Sequence, residues 1–339
     1  MLGSFLGRLF LFALGRFVMG YRLFARTSIW KLFVIGYFAV LGATAGSVSQ
    51  AQEVYDQTKL RLFVWDEGSH AVEMLGKAGL PDMNWNGSPE WSHDGTRIAF
   101  DATPEDGDWL RSRIAVYHFS GLKQGTTEDL GLGDAPTWSA DDERIAFFLN
   151  PGTGAGKAGT WTMKADGSDR KWLCKGWFPN WSPNGKSIVC TTEFGAESEL
   201  LLCDLQAGKT RLLKSAPAVY RQPAWSPDSK KLAVLVVVDG KRNLVVMDVE
   251  RDEIEQLLWL ERGFDGEGTP PRVSNICWMP NRQELLVSLA SENTKECAFC
   301  VLGIGKLERL KSDWRGSCHS PAWRADGKRI VFCGNPLRE

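Results

Sequence analysis

Six segments of the chain align on a tryptophan, and their spacing limits what the chain can fold into. They are SPEWSHDGTRIAF (88–100), APTWSADDERIAFF (135–148), FPNWSPNGKSIVC (178–190), QPAWSPDSKKLAVL (222–235), NICWMPNRQELLVSL (275–289) and SPAWRADGKRIVF (320–332). The anchors are Trp91, Trp138, Trp181, Trp225, Trp278 and Trp323, set 47, 43, 44, 53 and 45 residues apart. A period in the forties suits a four-stranded propeller blade.

Each segment also carries a hairpin signal. An apolar stretch ends in Trp, and a turn such as HDG, PNG, PDS or ADG follows. Pro presets φ for an early turn position, and Gly or Asn accepts positive φ at its end. An alternating strand comes next, then a second strand pair such as ELLLCDLQAG with KTRLL. One repeat therefore reads as four antiparallel strands, a to d. The last repeat stops after two strands, whereas KLRLFVWDEGSHAVEML (59–75) reads as a lone c–d pair. Joining the two leaves no open sheet edge, an arrangement that edge-strand physics favours. The expected fold is all-β: a six-bladed β-propeller of four-stranded antiparallel blades, closed by pairing N-terminal strands with the C-terminal blade. A total of 15 Trp is high, and a large ring at one place in each blade, filling the wedge between sheets, accounts for part of it.

The motif W-S-P-D-G followed by a strand like I-A-F resembles the TolB-type, WD-like propeller repeat. WSPNGKSIV at Trp181 and WSPDSKKLAV at Trp225 are the nearest copies, and WMPNRQELLV at Trp278 is the weakest. The resemblance covers nearly all of residues 55–339 and speaks for fold rather than reaction. It implies a periplasmic protein that binds envelope partners through its propeller. The chain departs from TolB in having too few residues after its leader for that protein's N-terminal α/β domain. The same repeat precedes the catalytic domain of some serine peptidases, but the chain contains no G-x-S-x-G nucleophile elbow.

Residues 1–51 read as a signal peptide and 52–339 as the propeller. Leu32–Ala45 is apolar and uncharged, Arg22, Arg26 and Lys31 precede it, and Ala43-Thr44-Ala45 and Ser49-Gln50-Ala51 offer small-residue cleavage sites. About 14 apolar residues is short for a membrane span, which needs roughly 20. Met19 is an alternative start. The protein is thus expected in the periplasm or secreted, touching membrane only if the signal stays uncleaved. Residues 1–52 hold five basic side chains and no acid, leaving 35 basic residues against 41 acidic. A mildly acidic body with no basic stripe argues against nucleic acid as a partner. The expected partner is an envelope or secreted protein, with an oligosaccharide as the alternative.

Strand a lines the channel, so the residue four before each anchor lies near one mouth. These residues are Gly87, Asp134, Trp177, Arg221, Ser274 and His319, with Tyr220, Gln222 and Asn275 beside them. Asp134, Arg221 and His319 suit a polar ligand and Trp177 an aromatic platform, a combination that fits a peptide segment or a sugar. Ordinary loop residues paired with one another are the plainer account. No recognisable catalytic set is present, and a channel-mouth enzyme acting on a polysaccharide is the minor alternative.

Metal and cofactor sites are not expected. Cys297 and Cys300 form a lone CxxC in a strand, where they face opposite sides. Cys190 stands where sibling blades carry Phe100, Phe147 and Val234, and Cys203 where blade 4 carries Met247, so both read as core replacements. Asp166-Gly-Ser-Asp169 reads as a turn, and the Gly-rich run 151–157 as a loop between strands rather than a phosphate cradle.

Overall fold

The computed structural model describes residues 60–193, 198–214, 219, 223–238, 241–258, 272–280, 282–290, 297–303 and 306–336. The leader lies outside these residues. The described chain opens with β1 (Arg61–Asp66) and β2 (Val72–Met74). Blade 1 follows as β3 (Met83–Trp91), β4 (Arg97–Pro104), β5 (Arg113–His118) and β6 (Thr127–Leu132). Blade 2 is β7 (Asp134–Trp138), β8 (Arg144–Leu149), β9 (Gly159–Lys164) and β10 (Lys171–Cys174). Blade 3 is β11 (Trp177–Trp181), β12 (Ser187–Thr191), β13 (Leu200–Asp204) and β14 (Lys209–Leu213). Blade 4 is β15 (Ala224–Trp225), β16 (Lys231–Val238), β17 (Lys241–Asp248) and β18 (Glu253–Leu258). Blade 5 is β19 (Arg272–Trp278), β20 (Leu285–Ala290), β21 (Cys297–Gly303) and β22 (Lys306–Arg309). The chain ends in β23 (Gly316–Trp323) and β24 (Arg329–Pro336), which β1 and β2 complete in the order β23-β24-β1-β2.

The closure follows the expectation from the repeat count. Leu62 lies opposite Cys333, Val64 opposite Val331 and Trp65 opposite Ile330. The Asp66 carboxylate meets the Arg329 guanidinium at 3.0 Å across the same strand pair. First strands touch in a ring, β3 with β7, β7 with β11, β11 with β15, β15 with β19, β19 with β23 and β23 with β3. The protein is a six-bladed β-propeller, nearly all β among the described residues.

Burial explains the alternating strands. Second strands are apolar on both faces because blades cover them from both sides, as with Ile98, Ala99 and Phe100, or Ile145, Ala146 and Phe147, all fully buried. The cores lie between blades: Ile114 and Val116 of blade 1 pack with Ile145, Phe147 and Met163 of blade 2.

The anchors fill the wedges and also point. The indole N–H of Trp138 donates to the Glu90 carbonyl, that of Trp225 to Asn180 and that of Trp278 to Ala224, at 3.0–3.2 Å, so each reaches the residue before the preceding blade's anchor. The turn after the anchor is locked by its own side chains. Ser139 Oγ donates to Asp141 Oδ1 at 2.6 Å and accepts from Arg144 N–H at 2.9 Å. Ser92 with Asp94, Ser182 with Asn184 and Ser226 with Asp228 repeat the arrangement. A hydroxyl and a short carboxylate or amide thus close the hairpin, which explains why S-x-D/N follows Trp.

Candidate functional site at the channel mouth

A bulge interrupts the first strand just before its anchor. The register slips between Gly87 and Glu90, Asp134 and Thr137, Trp177 and Asn180, Val273 and Asn275, and His319 and Ala322. Ser88, Ala135, Phe178 and Ser320 occupy the slip at φ of 42°, 49°, 49° and 47°. A proline follows each of them: Pro89, Pro136, Pro179 and Pro321. Proline has no N–H for the ladder and is confined within sheets to bulges and edges, and the first strand supplies both. The bulge re-aims the residue before it. Gly87, Asp134, Trp177 and His319 are the residues before four of these slips. Arg221, Tyr220 and Gln222 lie outside the described residues. Ser274 is on the backbone of β19.

Between blades 1 and 2 the mouth carries two carboxyls. Asp101 of β4 lies opposite Gly87 and is buried. Gly87 makes room for it, since a Cβ there would stand 2.5 Å from Asp101 Oδ1. Asp101 and Asp134 face each other. Burial and the Asp101 charge push the Asp134 carboxyl well above the usual range, and hydrogen bonding from Asn150 and the Ala135 N–H only partly offsets this. Burial also raises Asp101, against hydrogen bonds from the Ser88 hydroxyl and the Ala135 N–H. Two carboxyls in contact cannot both ionise readily, because each charge opposes the other.

An aromatic stack adjoins the pair. Phe148, opposite Asp134 in the β7–β8 register, stacks on Trp177 with centroids 4.0 Å apart. Trp109, on a short 3₁₀ turn between β4 and β5, tilts toward Trp177 at 6.4 Å. Asn150 Nδ2 donates to the Trp109 carbonyl at 3.2 Å and holds that turn against blade 2. Asp134 and Trp177 thus belong to one continuous surface. His319 sits on blade 6, on the other side of blade 1 from Asp134. The Cys333 thiol donates to the His319 carbonyl at 3.4 Å, and the Asn275 side chain accepts from Ser320 N–H at 3.2 Å.

A third acid occupies the next position along β3. Glu90 Oε1 accepts from Thr137 Oγ1 and Trp138 N–H, both at 3.2 Å, and burial pushes its carboxyl up to about 7. At the opposite end of the first strands His93 Nδ1 meets Asp142 Oδ1 at 3.0 Å, which raises the imidazole above its ordinary value.

Asp101 and Glu90 were not among the residues singled out by sequence. Asp101 had a signal: ten residues after the anchor, sibling blades carry Phe148, Thr191, Leu235, Ser288 and Cys333, and blade 1 alone carries a charge. The CxxC splits as expected, with Cys297 packing beside Cys318 and Phe332 and Cys300 beside Val287 and Leu302 on the other side. Asp166–Asp169 is a turn, its Ser168 N–H bonded to Asp166 Oδ1.

No family model matches the chain. Among solved structures, a putative TolB from Agrobacterium tumefaciens superposes with a TM-score of 0.62 at 14% identity, covering 82% of this chain and 98% of that one. TolB from Acinetobacter baumannii gives 0.54 at 16% identity, covering 83% of this chain and 64% of that one. The fold is the TolB-type propeller. A curated relative, the "uncharacterized peptidase YuxL" of Bacillus subtilis (strain 168), is 27% identical over 161 residues. That match takes in 46% of this chain and 21% of the Bacillus protein. On this fold, three successive blades contribute two carboxyls and an aromatic stack beside the bulges of the first strands. No helix among the described residues is long and apolar enough to cross a membrane.

Proposed function

We propose that the protein is an exported, non-catalytic propeller that binds a segment of an envelope or secreted protein at the channel mouth, through a basic side chain of that segment. The observation that carries this reading is the Asp101–Asp134 pair beside Trp177. A carboxyl pair whose ionisation is opposed by desolvation and by mutual repulsion is stabilised in its charged form by an incoming cation. An adjoining indole adds cation–π attraction for the same group. Lysine and arginine provide such a cation on a stem long enough to enter a mouth.

The alternatives fit the same groups less well. Phe148 already covers one face of Trp177, which leaves a poorer platform for a sugar ring. Glycoside hydrolysis uses carboxyls about 5 Å or more apart, with the sugar between them, whereas Asp101 and Asp134 bond to each other. The Bacillus relative carries a peptidase's name; a polypeptide is the ligand class taken here, without its cleavage.

Selection from a displayed random-peptide library tests the reading, with a D134N/W177A double variant as counter-selection. Peptides built around Lys or Arg should be enriched on the wild type and lost on the variant. Enrichment without a basic residue, or equal recovery on both proteins, would sink it. N-terminal sequencing of the protein from cells tests export: a mature chain beginning at Met1 or Met19 would contradict a cleaved leader.

A further inference from the structure

Three cysteines from two blades converge in the interior, on segments that adjoin Trp177 but with no part in the mouth chemistry. Cys174 ends β10, the outer strand of blade 2, and Cys190 and Cys203 stand on β12 and β13 of blade 3. Cys174 Sγ lies 3.3 Å from Cys203 Sγ and 3.6 Å from Cys190 Sγ, and all three sulfurs fall within 4.8 Å of one another. All three residues are buried, in an apolar shell that includes Ala146, Trp181, Ile188, Leu173 and Leu201. Taken one at a time, Cys190 and Cys203 replace core residues; taken with Cys174 they form a set.

We propose that Cys174, Cys190 and Cys203 form a three-sulfur site for a soft d10 metal ion, with Cu(I) as its best occupant. Soft thiolate ligands select Cu(I), zinc and iron–sulfur clusters. Structural zinc wants four ligands in a tetrahedron, and this cluster offers three sulfurs inside a dry shell. A trigonal ion needs no more than three. Metal–thiolate bonds of about 2.3 Å place three sulfurs about 4 Å apart, so the Cys174–Cys203 and Cys174–Cys190 separations have to open by roughly 0.7 and 0.4 Å.

The surroundings fit such a site. Gly176 lies against the cluster: a Cβ there would stand 2.2 Å from Cys190 Sγ, so only glycine leaves this sulfur in place. The thiols would release their protons to solvent as the ion binds. This inference shares no residue with the mouth and stands apart from the peptide-binding reading.

The test is anaerobic titration of the reduced full chain with Cu(I), in competition with a coloured Cu(I) chelator. One equivalent should be retained, with a thiolate-to-copper absorption band, and copper-edge X-ray absorption should count three sulfur neighbours. Cys174→Ser should weaken retention beyond the roughly 10–100-fold typical of an outer-shell change, and Cys300→Ala should leave it unaltered. Near-ultraviolet circular dichroism checks folding. If Cys174→Ser does not fold, the ligand count on the wild type decides alone. Retention no better than that of the folded Cys174→Ser variant, nitrogen or oxygen neighbours, or only two sulfurs would overturn the site. So would a disulfide between Cys174 and Cys190 or Cys203, found by peptide mapping of the protein isolated from cells.

Discussion

The two ends of each first strand obey different rules. At the anchor end, neighbouring blades repeat one solution: an indole in the wedge, a serine hydroxyl and a short acid or amide closing the turn. At the mouth end the corresponding residues are Gly87, Asp134, Trp177 and His319, four unlike side chains. The bulge explains how both can hold on one strand. It is set by backbone and by the proline after it, so it re-aims whatever residue precedes it. Folding therefore constrains one end, and the other is left open to chemistry. In a repeat protein, a ring of unlike residues at equivalent positions points toward function.

The largest expected effect is at the anchor end. Trp138 is buried to 1% exposure, and Trp138→Ala should cost about 3–5 kcal/mol in denaturant unfolding. Trp177→Ala at the mouth, where the ring is only partly buried, should cost clearly less. Equal losses would erase the distinction between the two ends.

The next effect concerns pH. A carboxyl raised by burial binds more protons in the folded state than in the unfolded one. Stability should therefore fall as pH rises from the ordinary glutamate range toward about 7, where Glu90 titrates. His93, also raised, contributes stability that is complete below its ordinary value and is lost as pH rises through its folded value. Both groups favour mild acid. Glu90→Gln keeps an acceptor for Thr137 and Trp138, so it should flatten the slope and add on the order of 1–3 kcal/mol at pH 8. Thermal unfolding at several pH values measures it, and an unchanged slope would place the titration elsewhere.

Smaller changes sharpen the account of the turn and the closure. Ser139→Ala breaks one hairpin lock and should cost about 1 kcal/mol by denaturant melt, with Ser92→Ala and Ser182→Ala matching it within error. Asp66→Asn removes the ion pair with Arg329 at the closing blade. The pair is about one-third exposed, so the loss should be about 0–1 kcal/mol and should shrink in high salt. A larger loss would mean that closure leans on this pair more than on the β1–β24 ladder.

The fold was legible because its evidence repeats. Six anchors at one period, and a missing strand pair at one end matched by a spare pair at the other, define the ring without any tertiary information. Counting from the anchor picks out Asp134 and Trp177 as equivalent positions, and both precede a register slip. Asp101 was harder to see, because it sits within the apolar run RIAFDA and reaches the mouth only where Gly87 leaves space. Phe148 and Trp109 join Trp177 through packing between blades, which spacing along one repeat does not encode. Cys174 meets Cys190 and Cys203 for the same reason: it belongs to the preceding blade, and its role depends on how two sheets face each other.

A double-mutant cycle on peptide binding tests the central claim most directly. A selected lysine-containing peptide and its Nε-acetylated form are titrated by calorimetry into the wild type and into Asp134→Asn. Acetylation and Asp134→Asn should each weaken binding at least about tenfold, and together little more than either alone, because both remove one contact. Independent, additive losses, or an unchanged affinity in Asp134→Asn, would contradict a mouth built to receive a basic side chain.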